Sequence, residues 1–250
     1  MKLAAIEVAR IGMGTNRLTN PRHNVAFIKA AVAAGVQLID TAHLYTGGQS
    51  EETIGAALSP MPDNVVVATK GGFNDGSPAV ISAEIDESLR RLRVKSIALY
   101  YLHRVDANVP IETSLSAIKE YVDRGVIRHV GVSQVTVDQI ERARKVVPIA
   151  AVQQQYSQSE RKHDAEVDYC TREGIPFVPF YPLRGTEGAL EELARRKGAT
   201  TRQIALAWLL KRSPVMLPIP GTLSLVHVEE NLAAQHIELS DDEFEAIRHA

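Results

Sequence analysis

Four apolar segments of the chain each end in a polar side chain. Residues 36–40 end in a carboxylate, 64–70 in an amine, 96–103 in an imidazole and 127–133 in a hydroxyl, and the four residues are Asp40, Lys70, His103 and Ser133. Apolar runs with such endings are typical of buried parallel strands that carry functional groups at their carboxyl ends. One barrel rim would gather these groups, so we expect them to share a site.

A tyrosine in the loop after Asp40 adds a candidate acid. The phenol of Tyr45 has an ordinary pKa of about 10 and is a weak acid at neutral pH. A neighbouring Lys70 ammonium is expected to lower that pKa, and Asp40 would keep the buried lysine charged. His103 could donate a hydrogen bond to a carbonyl oxygen. The set suits protonation of an oxygen that becomes negative when a hydride reaches a carbonyl carbon.

Strands and helices are expected to alternate along the chain. Besides the four segments above, apolar runs at 11–15, 149–153, 175–180 and 215–219 predict strands. Helices are predicted over 21–35, 51–57, 82–92 and 110–125, and after residues 136, 200 and 240. Eight such units predict a single (β/α)₈ TIM barrel, an eight-stranded parallel barrel with outer helices. A chain of 250 residues is the usual size of one such domain, so we expect one domain over 1–250.

Several helix boundaries carry their own signals. Asn20 and Pro21 predict a cap and first turn, and Gly35 can adopt the left-handed backbone that ends a helix. Three pairs predict capping boxes: Thr136 with Gln139, Thr200 with Gln203, and Ser240 with Glu243.

Composition limits the classes of partner. The formal net charge of −2 provides no footprint for nucleic acid or a membrane surface. No apolar run approaches the ~20 residues of a membrane span, and no apolar signal core opens the chain. The single cysteine, Cys170, is expected to be a buried helix residue in a reducing compartment. We therefore expect a cytoplasmic protein, most simply a monomer, with a small-molecule partner and no metal site.

The chain resembles the aldo-keto reductase family at motifs that follow one another in the family's order. They are Leu38-Ile-Asp-Thr-Ala-His-Leu-Tyr45 with Gly48, Ser50 and Glu51; Ala68-Thr-Lys70; Leu102-His103; Gly131-Val-Ser133; Val152-Gln153; Pro182-Leu183; and Ile219-Pro-Gly-Thr222 with Glu230 and Asn231. The resemblance implies NAD(P)H-dependent reduction of an aldehyde or ketone. It makes Tyr45 the general acid, with Asp40 and Lys70 lowering its pKa and His103 positioning the carbonyl.

The resemblance also implies a cofactor that lies extended across the barrel mouth. The glycines Gly12 and Gly14 are followed by Arg17 and do not form the Gly-x-Gly-x-x-Gly motif of a Rossmann fold. Hydrogen bonds from Ser133, Gln134 and Gln153 would hold the nicotinamide amide, and Phe180 would stack on its ring. The remaining implied cofactor contacts are Thr15, Leu183, Thr222, Ser224, His227, Glu230 and Asn231.

We expect NADPH to be preferred over NADH, though NADH remains possible. Thr222, Ser224 and His227 are the polar candidates for the adenosine phosphate. Because a histidine is largely neutral at pH 7, the expected preference is modest and grows as the pH falls toward 6.

The chain departs from the family at four places. Gln134 replaces the usual asparagine, Phe180 often has a tyrosine counterpart, and Ile219 stands where many members carry a phosphate-pairing lysine. The segment 184–188 is shorter than the loop that closes over the cofactor in longer members, which predicts a more open site.

Two other functions fit parts of the same pattern. Lys70 could form a Schiff base, as in an aldolase-type lyase, but a Schiff-base lysine must be neutral and Asp40 would keep it charged. Alternatively, the barrel could bind a nicotinamide cofactor as a sensor or partner subunit without catalysis. The intact set of Asp40, Tyr45, Lys70 and His103 argues against lost catalysis.

Overall fold

The computed structural model describes residues 1–3, 6–185 and 189–248. A short antiparallel hairpin comes first, with strands β1 (Lys2–Leu3) and β2 (Ile6–Glu7). Seven parallel strands then pair in chain order. They are β3 (Met13–Gly14), β4 (Leu38–Asp40), β5 (Val66–Gly71), β6 (Leu99–Leu102), β7 (Val130–Ser133), β8 (Ile149–Gln155) and β9 (Phe177–Phe180).

The segment 215–219 closes the sheet into a barrel. The Phe177 N–H donates to the carbonyl of Val215 and the Leu217 N–H donates back to Phe177, each at 2.9 Å. On the other side, the Gly12 N–H donates to Pro218 O at 2.9 Å. Prolines at 214, 218 and 220 have no N–H, so the ladder is interrupted although the segment lies between β9 and β3. The predicted (β/α)₈ barrel is confirmed, with its eighth strand in this irregular form.

Helices surround the barrel. They are α1 (Arg22–Ala33), α2 (Gln49–Leu58), α3 (Pro78–Leu92), α4 (Ile111–Asp123), α5 (Val137–Val146), α6 (Asp164–Glu173), α7 (Ala189–Lys197), α8 (Thr201–Arg212), α9 (Leu225–Ala233) and α10 (Asp241–Arg248). Single turns of 3₁₀ helix occur at Tyr45–Gly48 and Ala234–His236. In the described part of the chain, no helix is long and apolar enough to cross a membrane.

Most of the predicted helix boundaries are confirmed, but α3 begins at Pro78, four residues before the predicted start at residue 82. The three capping boxes form. Gly35 follows α1 with a φ of 110°, in the left-handed region. The predicted cap at Asn20 is wrong, because Pro21 is the residue that precedes α1 and the Asn20 amide donates to Glu52 Oε2 at 3.1 Å instead.

The core has two apolar layers, one inside the barrel and one between the strands and the helices. Leu38, Val66, Leu99 and Tyr101 fill the inside of the barrel, while a larger apolar layer separates the strands from the helices. Gly131 lies where a Cβ atom would come within 2.3 Å of the Tyr101 ring, so the interior is packed at this level. Because the strands are parallel, their carboxyl ends open on one rim above this packed layer.

Candidate active site

The ends of neighbouring strands bring the four predicted catalytic side chains together. Asp40 is the last residue of β4, Lys70 lies near the end of β5, and His103 follows β6 directly. Tyr45 begins the 3₁₀ turn after β4. The strand register explains why these side chains are close. Asp40 pairs with Ala68, two residues before Lys70, and Lys70 pairs with Tyr101, two residues before His103.

Lys70 is the centre of the cluster. Its Nζ donates to Asp40 Oδ1 at 2.5 Å, to the Thr41 carbonyl at 2.6 Å and to the Tyr45 hydroxyl at 3.3 Å. A lysine ammonium has three N–H donors, so all three are used. The Tyr45 oxygen accepts one of them, and its own proton is left to donate toward the cavity that Tyr45 lines.

Burial and pairing together set the charge state of Lys70. Its side chain is fully buried, which alone would lower the pKa of the ammonium, but attraction to Asp40 and Tyr45 outweighs this and the net pKa is raised. Burial raises the pKa of the Asp40 carboxyl, against the opposing effects of Lys70 and Gln153. Lys70 is therefore a buried cation held by a carboxylate, as the sequence predicted.

The predicted direction of the Tyr45 pKa shift is wrong for the protein alone. Burial raises the pKa of the Tyr45 phenol above its ordinary value, Lys70 lowers it, and the Asp40 carboxylate raises it again. The lysine acts in the expected direction, but desolvation of the phenolate is larger. Lys70 thus offsets part of the increase in the Tyr45 pKa that burial causes.

His103 is neutral at any physiological pH. Burial, together with the charges of Lys70 and Arg104, lowers the pKa of its imidazole to about 2. Its Nδ1 is buried without a hydrogen-bond partner in the described structure. An unpaired buried N–H is costly, which favours the tautomer with the proton on Nε2. Phe73 packs its ring against the imidazole with centroids 4.8 Å apart.

We predict that His103 makes the protein acid-sensitive. Its folded pKa of about 2 lies below the unfolded value of about 6.5, so below pH 6.5 the unfolded chain binds a proton that the folded chain does not. Stability therefore falls as the pH falls, by about 2 kcal/mol from this group at pH 5. We expect the free energy of unfolding, measured in urea, to fall between pH 7 and pH 5 by about 2 kcal/mol less in His103→Asn than in wild type. An identical pH dependence in both proteins would contradict it.

A cavity of about 780 Å³ opens above the cluster. Ser133, Gln134, Gln153 and Phe180, which were predicted to hold the nicotinamide, all line it, as do the predicted cofactor contacts Thr15 and Leu183 and the catalytic residues Asp40, Tyr45 and His103. Gln153 is buried, and its Nε2 donates to Asp40 Oδ2 at 2.8 Å. Gln134, at a φ of 54°, turns its amide back to the His103 carbonyl at 3.3 Å. Both glutamines therefore also brace the catalytic residues.

A second cavity of about 480 Å³ adjoins the first. Both are lined by Gly14, Thr15, Asn16, Arg17, Leu183 and Gly221, so they form one extended cleft across the rim. Of the other predicted cofactor contacts, Thr222, His227 and Asn231 line the second cavity. Ser224 and Glu230 do not. Ser224 instead donates its backbone N–H to the Thr222 hydroxyl, and the Glu230 carbonyl accepts from Gln203.

Several residues of the cleft were not predicted from the sequence. Phe73 and Tyr181 line the catalytic cavity, Arg202 lines the second one, and Arg17 lines both. Arg17 lies two residues after the predicted Thr15, which was a usable signal. Arg202 had none, because an arginine in the first turn of α8 reads as an ordinary exposed helix residue.

The short segment after Leu183 lies only partly within the described residues. Arg184 and Gly185 are described, and residues 186–188 are outside that part of the chain. Arg184 lines the catalytic cavity, and its guanidinium lies 4.8 Å from the centre of the Tyr181 ring. Tyr181 is 47 % exposed.

Comparisons with known proteins agree with this geometry. The model of the Aldo/keto reductase family matches residues 10–188 and 186–250. An uncharacterised oxidoreductase of Schizosaccharomyces pombe is 38% identical, covering 98% of this chain and 87% of the relative. Pyridoxine 4-dehydrogenase of Escherichia coli is 35% identical, covering 96% of this chain and 94% of the relative.

Solved structures show the same fold. A thermostable aldo-keto reductase in complex with the inhibitor epalrestat superposes with a TM-score of 0.92 at 30% identity, covering 100% of this chain and 98% of the other. An aldo/keto reductase from Klebsiella pneumoniae in complex with NADP and acetate has a TM-score of 0.88 at 28% identity, covering 97% and 91%. The chain therefore belongs to the aldo/keto reductase family and is an oxidoreductase.

Proposed function

We propose that the protein uses NADPH to reduce an aldehyde or ketone to the alcohol, with Tyr45 as the proton donor. The observation that carries this proposal is the saturated ammonium of Lys70. Its three donors end on Asp40, Thr41 and Tyr45, which leaves the phenol proton of Tyr45 available to a ligand in the cavity. Solved relatives from Klebsiella pneumoniae contain NADP and NADPH.

The donor set of the cleft fits a nicotinamide dinucleotide. Beside the catalytic residues, Ser133 and Gln153 offer a hydroxyl and an amide, and Phe180 offers an aromatic face. Gln153 uses one N–H on Asp40, and its carbonyl oxygen can accept from an amide ligand. At the far end, arginines meet Thr222 and His227. When bound in this cleft, NADPH would supply a hydride to the carbonyl carbon of the substrate.

The catalytic residues divide the remaining work. The Nε2–H of His103 is placed to donate to the substrate oxygen, which would orient the carbonyl. Tyr45 gives its proton to the same oxygen as negative charge develops there. The hydroxyl oxygen of Tyr45, which would then carry the negative charge, lies 3.3 Å from Lys70 Nζ. Asp40 keeps that ammonium charged, so the charge on Tyr45 is stabilised where it forms.

The two alternative functions have less support. A Schiff base needs a neutral lysine, whereas the pKa of Lys70 is raised and its three protons are engaged. We therefore expect borohydride to trap no adduct on Lys70 with any carbonyl substrate. A cofactor-binding barrel without catalysis would not require a phenol held against a buried ammonium. Tight NADPH binding with no turnover of any carbonyl would support that alternative.

The walls of the cavity favour flat, partly apolar substrates. Leu44, Phe73 and Tyr181 line it together with the polar groups, and aromatic rings pack well on planar ligands. A panel of aromatic and aliphatic aldehydes, ketones and quinones, followed at the reduced-nicotinamide absorbance, tests the proposal. Pyridoxal belongs in the panel because the Escherichia coli relative is a pyridoxine 4-dehydrogenase. We expect aromatic aldehydes to be the best substrates, and no oxidation of NADPH by any member would refute the proposed reaction.

The cellular setting stays a prediction from the sequence. We propose one barrel domain over residues 1–250, a monomer and a cytoplasmic location. Light scattering of the purified protein measures its mass and so tests the monomer, and cell fractionation tests the location.

A further inference from the structure

We infer that Arg202, on helix α8, is the residue by which this protein recognises the 2′-phosphate of NADPH, with Thr222 as a second donor and His227 as the group that holds the arginine in place. The inference rests on the proposed function, because it takes a nicotinamide dinucleotide as the ligand. It adds Arg202, which lies on α8, to the residues Thr222 and His227, which follow the closing segment 215–219.

The position of the second cavity points to the adenosine end of the cofactor. The catalytic residues lie on the first cavity, so a nicotinamide ring belongs there. An extended dinucleotide that follows the shared lining then places its adenosine end in the second cavity. The described lining of the second cavity contains Arg17, Arg202 and His227 and no carboxylate. A positive cavity without an acid suits a phosphate and is unsuited to a preference for a free 2′-hydroxyl.

Hydrogen bonding around His227 determines which atoms can donate into the cavity. Arg202 Nη1 lies 3.2 Å from His227 Nε2. A guanidinium has donors only, so Nε2 must accept and the imidazole proton lies on Nδ1. That Nδ1 is 3.4 Å from the Thr222 hydroxyl oxygen, which also accepts the backbone N–H of Ser224 at 3.0 Å.

Thr222 is thereby left as a donor. A hydroxyl has two acceptor lone pairs and one proton, and both lone pairs are occupied by His227 and Ser224. Its proton can serve only a further acceptor, such as a phosphate oxygen. Arg202 uses one of its five N–H groups on His227 and keeps four. The charged donors of Arg202 and the hydroxyl of Thr222 therefore face one cavity. Arg202 supplies the positive charge that many family members provide with a lysine at the position of Ile219.

This arrangement changes the expected origin of cofactor preference. The sequence assigned the phosphate contact to Thr222, Ser224 and His227, with a preference for NADPH that depends on the protonation of His227. A guanidinium stays charged throughout the range in which proteins are stable, so the preference need not vanish at pH 8. Arg17, which lines both cavities, is instead placed for the phosphates that NADPH and NADH share.

The test measures binding, without turnover. Calorimetric titrations of wild type and Arg202→Ala would use NADPH, NADH, 2′,5′-ADP and 5′-ADP. Loss of a charge-assisted hydrogen bond is worth roughly 10- to 100-fold in affinity. We expect that loss for NADPH and 2′,5′-ADP, and a change below about threefold for NADH and 5′-ADP. Arg202→Lys should lie between the two, because it keeps the charge and loses the planar fork.

Two further variants sharpen the result. Lys211→Ala removes a cation from the same helix at an exposed ion pair with Asp241 and should bind all four ligands like wild type. Arg17→Ala should weaken NADPH and NADH by similar factors. Equal effects of Arg202→Ala on NADPH and NADH, or no effect on either, would overturn the inference while leaving the proposed function intact. Wild type that binds neither dinucleotide would overturn the proposed function itself.

Discussion

Tyr45→Phe should lower kcat for a good aldehyde by about 10²–10⁴-fold, the usual value of general acid catalysis. The change removes the hydroxyl and keeps the ring that the Lys70 ammonium approaches at 4.8 Å from its centre. One Lys70 donor loses its acceptor, but the removed hydroxyl belongs to a residue that lines the cavity, so water can fill the space it leaves and accept from that donor. The fold and NADPH affinity should therefore change little. Steady-state kinetics and a cofactor titration on the same preparation measure both.

A matched control removes a different phenol. Tyr121→Phe deletes a hydroxyl that donates to Asp86 at 3.1 Å on the outer helices, away from both cavities. It should retain wild-type turnover. If Tyr45→Phe also reduces the aldehyde at near wild-type rate, another group supplies the proton and our assignment is wrong.

The second large effect is expected for Lys70→Met. This variant should lose both activity and stability. Lys70 stabilises a phenolate on Tyr45, and it also neutralises the buried carboxylate of Asp40. Removing one partner of a buried ion pair typically costs about 3–5 kcal/mol of stability. The net pKa of Tyr45 is already raised, and without the lysine it should rise further. We expect kcat to fall more than cofactor affinity, and the limb of the pH profile that reports the acid to disappear.

A double variant separates the two consequences. Asp40→Asn combined with Lys70→Met removes both charges, and the new amide oxygen can still accept the hydrogen bond from Gln153. Unfolding in urea should show stability regained relative to Lys70→Met alone. Turnover should stay low, because the cation near Tyr45 is still missing. Recovery of turnover together with stability would mean that Lys70 has only a structural role, and an unchanged pH profile in active Lys70→Met would contradict its effect on Tyr45.

Much of the catalytic centre could be read from local sequence. Apolar runs that end in Asp40, Lys70 and His103 predicted strands whose carboxyl ends share a rim, and the register of parallel strands then forces these side chains together. Capping boxes such as Thr136 with Gln139 were equally readable, because both partners lie within one turn. The exception at Asn20 has a tertiary cause, since its amide is drawn to Glu52 on the next helix.

Other features depended on contacts between distant segments. The sign of the Tyr45 pKa shift follows from how deeply the folded chain buries the phenol, which residue order does not state. Arg202 meets His227 across 25 positions of sequence, and nothing in the pattern of α8 marks it as part of a cleft. The sequence by itself determined the barrel and the residues at its strand ends, because these depend on periodicity and strand direction. Only the tertiary structure decided the electrostatics of the acid and the lining of the adenosine end, because both arise from side chains that packing alone brings together.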